Sequence, residues 1–187
     1  MTKSKKLIAV ALMAATSLSS SAYAATQGTT GSTSSGSSNI TITKPVQAQI
    51  SDLTDMTLSS WTAGDGAVTL TDNVCVYSST GSYKVTATGS GASNAFSLAS
   101  GSNNLPYTVT WNAGGAGALA NTGTSLTAGT QSTGFSNAST TSVNCNGGGT
   151  ANDTARVVVG ITSANMQAAV ASTTAYAGTL TMLVTPY

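Results

Sequence analysis

The chain has no histidine and no glutamate. Without histidine, no Ser-His or Cys-His pair can activate a nucleophile. Acid–base chemistry would fall to five aspartates, Asp52, Asp55, Asp65, Asp72 and Asp153. A glycosidase needs two carboxylates facing one sugar. The sequence pattern places no two of these on facing strands, and Asp65-Gly66 and Asp72-Asn73 suit turns. We therefore expect no enzyme and no catalytic residue. Two cysteines without histidine are too few for a zinc site. Asp52-Leu-Thr-Asp55 does not have the spacing of a calcium loop, and Gly147-Gly-Gly149 is no phosphate loop. The expectation is no metal and no cofactor.

Charge is equally scarce. Six basic residues stand against five acidic ones, and three of the six, Lys3, Lys5 and Lys6, sit at the start. Nucleic-acid binding draws on clustered Lys and Arg, and so does a membrane-surface patch. Neither partner is expected. The longest apolar run, Leu7 to Ala15, has nine residues. A bilayer span needs about 20, so no membrane span is expected. Aromatic residues are few. Trp61, Tyr83, Tyr107 and Trp111 could line a sugar site, but their strand-like settings favour core packing.

What is present points to secretion. The basic n-region, the nine-residue apolar run and Ala22-Tyr23-Ala24 form a signal peptide over 1–24. The remaining residues, 25–187, carry three basic and five acidic side chains, a net charge of 3 − 5 = −2. Thr, Ser, Gly, Asn and Ala dominate, as in a secreted all-β protein with a polar, uncharged surface. Little charge means little colloidal repulsion, which suits a protein that assembles. Behind a signal peptide, Cys75 and Cys145 are expected to form one structural disulfide.

Residues 25–38 are Gly/Ser/Thr-rich and expected to be flexible, either a disordered N-terminus or a tether. Next comes Asn39-Ile-Thr-Ile-Thr-Lys-Pro-Val46, with Ile40 and Ile42 on one face and Thr41 and Thr43 on the other. Pro45 breaks it from a first strand of the body at 46–50. Two readings stay open. The segment is a strand donated to a neighbour, or it belongs to one edge strand of its own subunit with Pro45 at a bulge. Further strands are expected at 67–71, 74–78, 83–88, 95–98, 105–111 and 156–161, with one more around 119–126. Residues 164–171 suit a short helical turn. The last strand, within 176–187, places Leu180, Met182 and Val184 on one face, and Pro186 ends it. Short strands separated by turn signals indicate a β-sandwich or barrel. An apolar strand edge left unpaired invites pairing with another chain.

Three stretches carry a family resemblance: the extension Asn39–Val46 behind a signal peptide, the strand Leu105-Pro-Tyr-Thr-Val-Thr-Trp111, and the ending Tyr176-Ala-Gly-Thr-Leu-Thr-Met-Leu-Val-Thr-Pro-Tyr187. Residues 40–187 resemble a subunit of bacterial chaperone–usher pili, in the archaic/alternative branch with spore coat protein U-like domains. The resemblance implies an incomplete immunoglobulin-like β-sandwich over 47–187 that lacks its seventh strand, preceded by a flexible tether at 25–38 and a donor strand at 39–46. It implies that Ile40, Ile42 and Val46 are donor side chains, that Leu180, Met182 and Val184 edge an acceptor groove, and that Tyr187 meets a periplasmic chaperone. The implied partners are neighbouring pilin subunits, that chaperone and an outer-membrane usher. The implied location is a surface fimbria serving adhesion and biofilm formation. The competing expectation is a self-contained secreted sandwich, a coat protein or carbohydrate-binding module.

Overall fold

The computed structural model describes residues 25–147 and 151–187. The expected signal peptide lies outside them. The chain divides into two units, 1–44 and 45–187. In the first, the described residues are exposed, and Thr26 and Ser37 exchange backbone hydrogen bonds of 2.9 Å.

The second unit is all-β and sandwich-like, and every ladder in it is antiparallel. Its strands are β1 (Ala48–Ser51), β2 (Val68–Ser78), β3 (Tyr83–Gly89), β4 (Ser97–Ser100), β5 (Asn103–Pro106), β6 (Thr108–Asn112), β7 (Thr124–Leu126), β8 (Ala155–Ile161) and β9 (Leu180–Pro186). One α-helical turn, α1 (Ser163–Ala168), comes after β8, and the Thr162 hydroxyl caps it by accepting from the Asn165 N–H.

Five strands form one sheet in the order β1-β2-β8-β6-β7. The register aligns Val74 with Ala155, and Trp111 with Val157 and Thr124. Alternate residues therefore reach one inner face, which carries Val74, Val76, Val109, Trp111, Ala155 and Val157, all buried. Opposite lies the pair β3-β9. Tyr83, Val85 and Ala87 of β3 are fully buried in the same core cluster, and Lys84, Thr86 and Thr88 point the other way. The two layers meet at Trp111, whose Nε1 donates to the Tyr83 hydroxyl at 3.1 Å. The rings make an edge contact with centroids 6.2 Å apart, and Phe135 packs against both. Burial pushes the Tyr83 phenol up to about 12, against the opposing effect of the Trp111 hydrogen bond.

The β2–β3 turn closes at Gly81, whose N–H bonds to the Ser78 carbonyl and whose φ of +76° suits glycine. Cys75, in the middle of β2, is bonded to Cys145, and both are buried. The bond pins the loop at 141–147 to the sheet.

Three expectations need correction. Asp72-Asn73 is no turn. It lies inside the single eleven-residue strand β2. The strand continues because Asp72 accepts from the Thr54 N–H and hydroxyl, and Asn73 accepts from Arg156 Nε at 2.7 Å. The stretch 105–111 is two strands, since β5 pairs with β4 and β6 with β8. Between them the Tyr107 N–H turns to the Phe96 carbonyl. The strand around 119–126 is confined to Thr124–Leu126. Among the described residues, the candidate donor segment 39–46 pairs with no strand within its own chain.

The disulfide and the central aromatic pair each set a measurable stability. Replacing both Cys75 and Cys145 by Ser should cost on the order of 4 kcal/mol, since the bond closes a 70-residue separation; denaturant midpoints of the oxidised and substituted chains measure it. Tyr83→Phe leaves Trp111 Nε1 buried without an acceptor and should cost about 1–3 kcal/mol, read as a lowered midpoint with an unchanged denaturant slope.

Candidate functional site

The inner residues of β9 are buried less than their partners across the ladder. Val85 pairs with Val184, and Ala87 with Met182. Val85 and Ala87 are fully buried, whereas Leu180, Met182 and Val184 are half-buried although they pack against the same core. Leu183, on the outer face, is 61% exposed.

The difference comes from lateral neighbours. β3 has a partner on each side. The segment 129–135 lies along one edge, where Gly129, Ser132 and Phe135 donate to the carbonyls of Ala87, Val85 and Tyr83, and β9 lies along the other. β9 has a ladder on one side only. The backbone alternation shows which groups are left. Tyr187 donates to the Ser82 carbonyl at 3.1 Å, so Tyr187 and the residues two, four and six before it, Thr185, Leu183 and Thr181, direct their amides and carbonyls toward β3. Those of Leu180, Met182 and Val184 point to the opposite edge. Among the described residues none of these backbone groups has a hydrogen-bond partner.

β1 presents the matching pattern. Ser79 donates to the Gln47 carbonyl at 2.9 Å, which places Gln47, Gln49 and Ser51 in the ladder with β2. The backbone groups of Ala48 and Ile50 point away from it. Their side chains are half-buried, and Ile50 packs on the core. β1 and β9 approach one another, yet they belong to separate sheets and no ladder joins them. The sandwich thus has two neighbouring open edges, both rich in unpaired amides and both backed by half-covered apolar side chains. Such a place can accept an extended apolar strand: backbone groups supply hydrogen bonds, and alternate side chains enter the gap.

The other sequence-predicted residues lie elsewhere. Ile40, Ile42 and Val46 are 85%, 87% and 64% exposed. Ile40 and Ile42 belong to the first unit and Val46 to the second. The Tyr187 ring lies with Lys84 Nζ 4.2 Å from its centroid. Gly134 makes room for that ring, since a Cβ there would come within 2.7 Å of it. Cys75 and Cys145 form the disulfide, with Cys75 across the ladder from Ser51 of β1. Among the described residues no group of three or more His, Cys, Asp or Glu is arranged to hold a metal ion. Of the aromatics weighed for a sugar site, Tyr83, Tyr107 and Trp111 are buried, and Trp61 is half-buried with Nε1 donating to the Gly66 carbonyl at 3.0 Å.

Asp65 is a turn residue as expected. It accepts from the Thr62 N–H at 2.6 Å and from the Thr62 hydroxyl at 2.8 Å, and these bonds hold its carboxyl below the usual range. The fold also groups aspartates that the sequence pattern did not, with Asp52 and Asp72 both acting on Asp153. Sequence reasoning also missed Ala48 and Ile50 as the second edge. Their alternation with Gln47 and Gln49 was visible, but which neighbour β1 lacks is a matter of topology.

Comparison with protein-family models, curated proteins and solved structures finds no match to this chain. No helix among the described residues is long and apolar enough to cross a membrane.

The exposure difference across the β3–β9 ladder has a measurable consequence. In the isolated subunit, Val85→Ala should cost on the order of 2 kcal/mol and Val184→Ala about half as much, because the second side chain is only partly removed from water. Equal losses in chemical denaturation would show that the β9 row is covered in solution.

Proposed function

We propose that this chain is a structural subunit of a surface fimbria or pilus that polymerises by donor-strand exchange, supporting adhesion and biofilm formation. The observation that carries the reading is the row Leu180, Met182 and Val184, half-buried over the core with its backbone groups unpaired on the open edge of β9. The occupant is residues 39–46 of a second copy. That segment has isoleucines two residues apart, both exposed, and a valine four residues further on. A strand's period of two puts Ile40, Ile42 and Val46 on one face, with the two isoleucines at the two-residue spacing of the half-covered row and Lys44 between them and Val46. The preceding Gly/Ser/Thr stretch supplies reach.

On this reading the sandwich is an incomplete immunoglobulin-like fold, and the donated strand completes it. Before assembly the open edge would need protection from indiscriminate pairing. A periplasmic chaperone would lend a strand there and contact Tyr187, and an outer-membrane usher would exchange that strand for the next subunit's extension. The buried disulfide is compatible with passage through an oxidising compartment. The low charge of the chain favours close packing of copies.

The test is polymer formation by the full mature chain in the presence of its assembly machinery. Ile40→Asp, Ile42→Asp or deletion of 39–46 should abolish SDS-resistant ladders, while the body still folds with the chaperone and still forms the Cys75–Cys145 bond. Normal fibres from these variants would refute the proposal. A stable monomer from the unaltered chain, folded without any chaperone, would favour a self-contained secreted sandwich.

A further inference from the structure

A second feature adjoins the end of β1 and does not depend on the assembly reading. β1 ends at Ser51, which pairs with Cys75 of β2. The next residue, Asp52, has a left-handed φ of 64° that takes the chain off the ladder. On the other flank of the same stretch of β2, Thr154 donates its N–H to the Val74 carbonyl and takes the Val76 N–H on its hydroxyl, and Ala155 opens β8 opposite Val74. Asp153 is thus fixed beside Val74–Val76 from one side and Asp52 from the other. Both carboxyls lie beside the same stretch of β2, each with one oxygen shielded there, and each acts electrostatically on the other.

The surroundings give this pair little help. Asp153 is 3% exposed. Asp153 Oδ1 and Asp52 Oδ2 are both shielded from solvent and have no hydrogen-bond donor among the described residues. Asp72 of β2 adds a third negative charge nearby, but its own oxygens are served by the Thr54 N–H and hydroxyl. The two basic side chains of 45–187 are engaged elsewhere: Lys84 over the Tyr187 ring, and Arg156 with Asn73 and Asn121. Asp55, on the segment leaving β1, is exposed. Cys75 and Cys145 are bonded and do not titrate. Two facing carboxylates, each with a shielded oxygen that has no donor among the described residues, cannot both stay ionised at low cost. One proton settles the matter, because a carboxyl O–H on one residue donates to the carboxylate oxygen of the other and satisfies both orphan atoms.

We propose that Asp52 and Asp153 share a single proton and form a latch that ties the end of β1 to the start of β8 and tightens as the medium becomes acidic. Burial first, and then the Asp52 and Asp72 charges, hold the Asp153 carboxyl above the ordinary value of 3.8. The folded chain therefore binds this proton more tightly than the unfolded chain does. The contribution to stability is complete below 3.8 and is lost as pH rises through the raised folded value. This is the reverse of a salt-bridged aspartate, which loses its contribution in acid.

The experiment uses the full mature chain, with Asp153→Asn and Asp52→Asn beside it, and tracks denaturant midpoints from about pH 4 to about pH 8. In the unaltered chain the unfolding constant should rise by up to about tenfold per pH unit across the window set by the pair. Either Asn variant keeps an amide donor for the remaining carboxylate. Each should flatten that dependence and raise the midpoint at the neutral end. Infrared difference spectra keep the proposal testable even if a variant folds poorly: the unaltered chain should show the C=O stretch of a protonated carboxyl at pH values where ordinary aspartates are ionised. Absence of that band, or a pH profile no steeper than that of Asp153→Asn, would overturn the latch. Calcium is the third arm. Calcium that raises the midpoint of the unaltered chain at neutral pH, erases the carboxyl band and leaves Asp153→Asn unmoved would also overturn it, in favour of a cation held by the pair.

Discussion

The contact between Trp111 and Tyr83 holds the two layers together. It is a buried hydrogen bond laid over an edge-on ring pair, so it fixes both the spacing and the lateral alignment of β6 against β3. The ladders carry that alignment outward. β3 carries β9, and β6 carries β8, β2 and finally β1. The relation between the open edges of β1 and β9 is therefore tied to a contact that lies one strand from β9, with Tyr83 across the ladder from Pro186, and three strands from β1. A shift at the centre would move the two edges relative to each other and close or distort the place between them.

Two kinds of unsatisfied backbone or side chain coexist in this small body, and physics treats them differently. At the edges of β1 and β9 the unpaired amides have access to solvent, so water can serve them until a strand arrives. Leaving that site empty costs little in hydrogen bonding. The loss lies in the half-covered apolar row. At Asp52 and Asp153 the unpaired oxygens are shielded, water cannot serve them, and the cost of two charges there must be met by a proton. The first arrangement favours association, the second responds to acidity, and both involve β1.

β1 itself is short and has a single partner strand. Its attachment rests on four residue pairs with β2 and on the turn just past Ser51. Asp52, leaving the ladder in a left-handed turn, is the first residue able to reach across β2 to the strand beyond. Strand, edge and acid pair are thus mechanically continuous over Ala48 to Asp52.

Local chemistry made much of this legible in advance. Period-two alternation marked 83–88 and the final strand, because one buried face imposes that pattern, and the β-branched run Val157–Val159 marked 156–161. Cys75 and Cys145 could be matched because they are the only two cysteines. Residues 40, 42, 180, 182 and 184 stood out as apolar in strand-like settings for the same reason. Long-range satisfaction of polar groups was not legible. Asp72-Asn73 has the composition of a turn, yet β2 runs straight through it because Thr54 and Arg156, far off in sequence, supply partners. The split of 105–111 between two pairings, the loss of one lateral neighbour at β9 and the meeting of Asp52 with Asp153 are equally matters of topology. Alternation depends on a residue's own two faces, so the sequence alone determined which residues turn inward. Which strand lies beside which, and which backbone or carboxyl oxygen is left without a donor, depends on chain segments dozens of residues apart. Only the tertiary structure decided that.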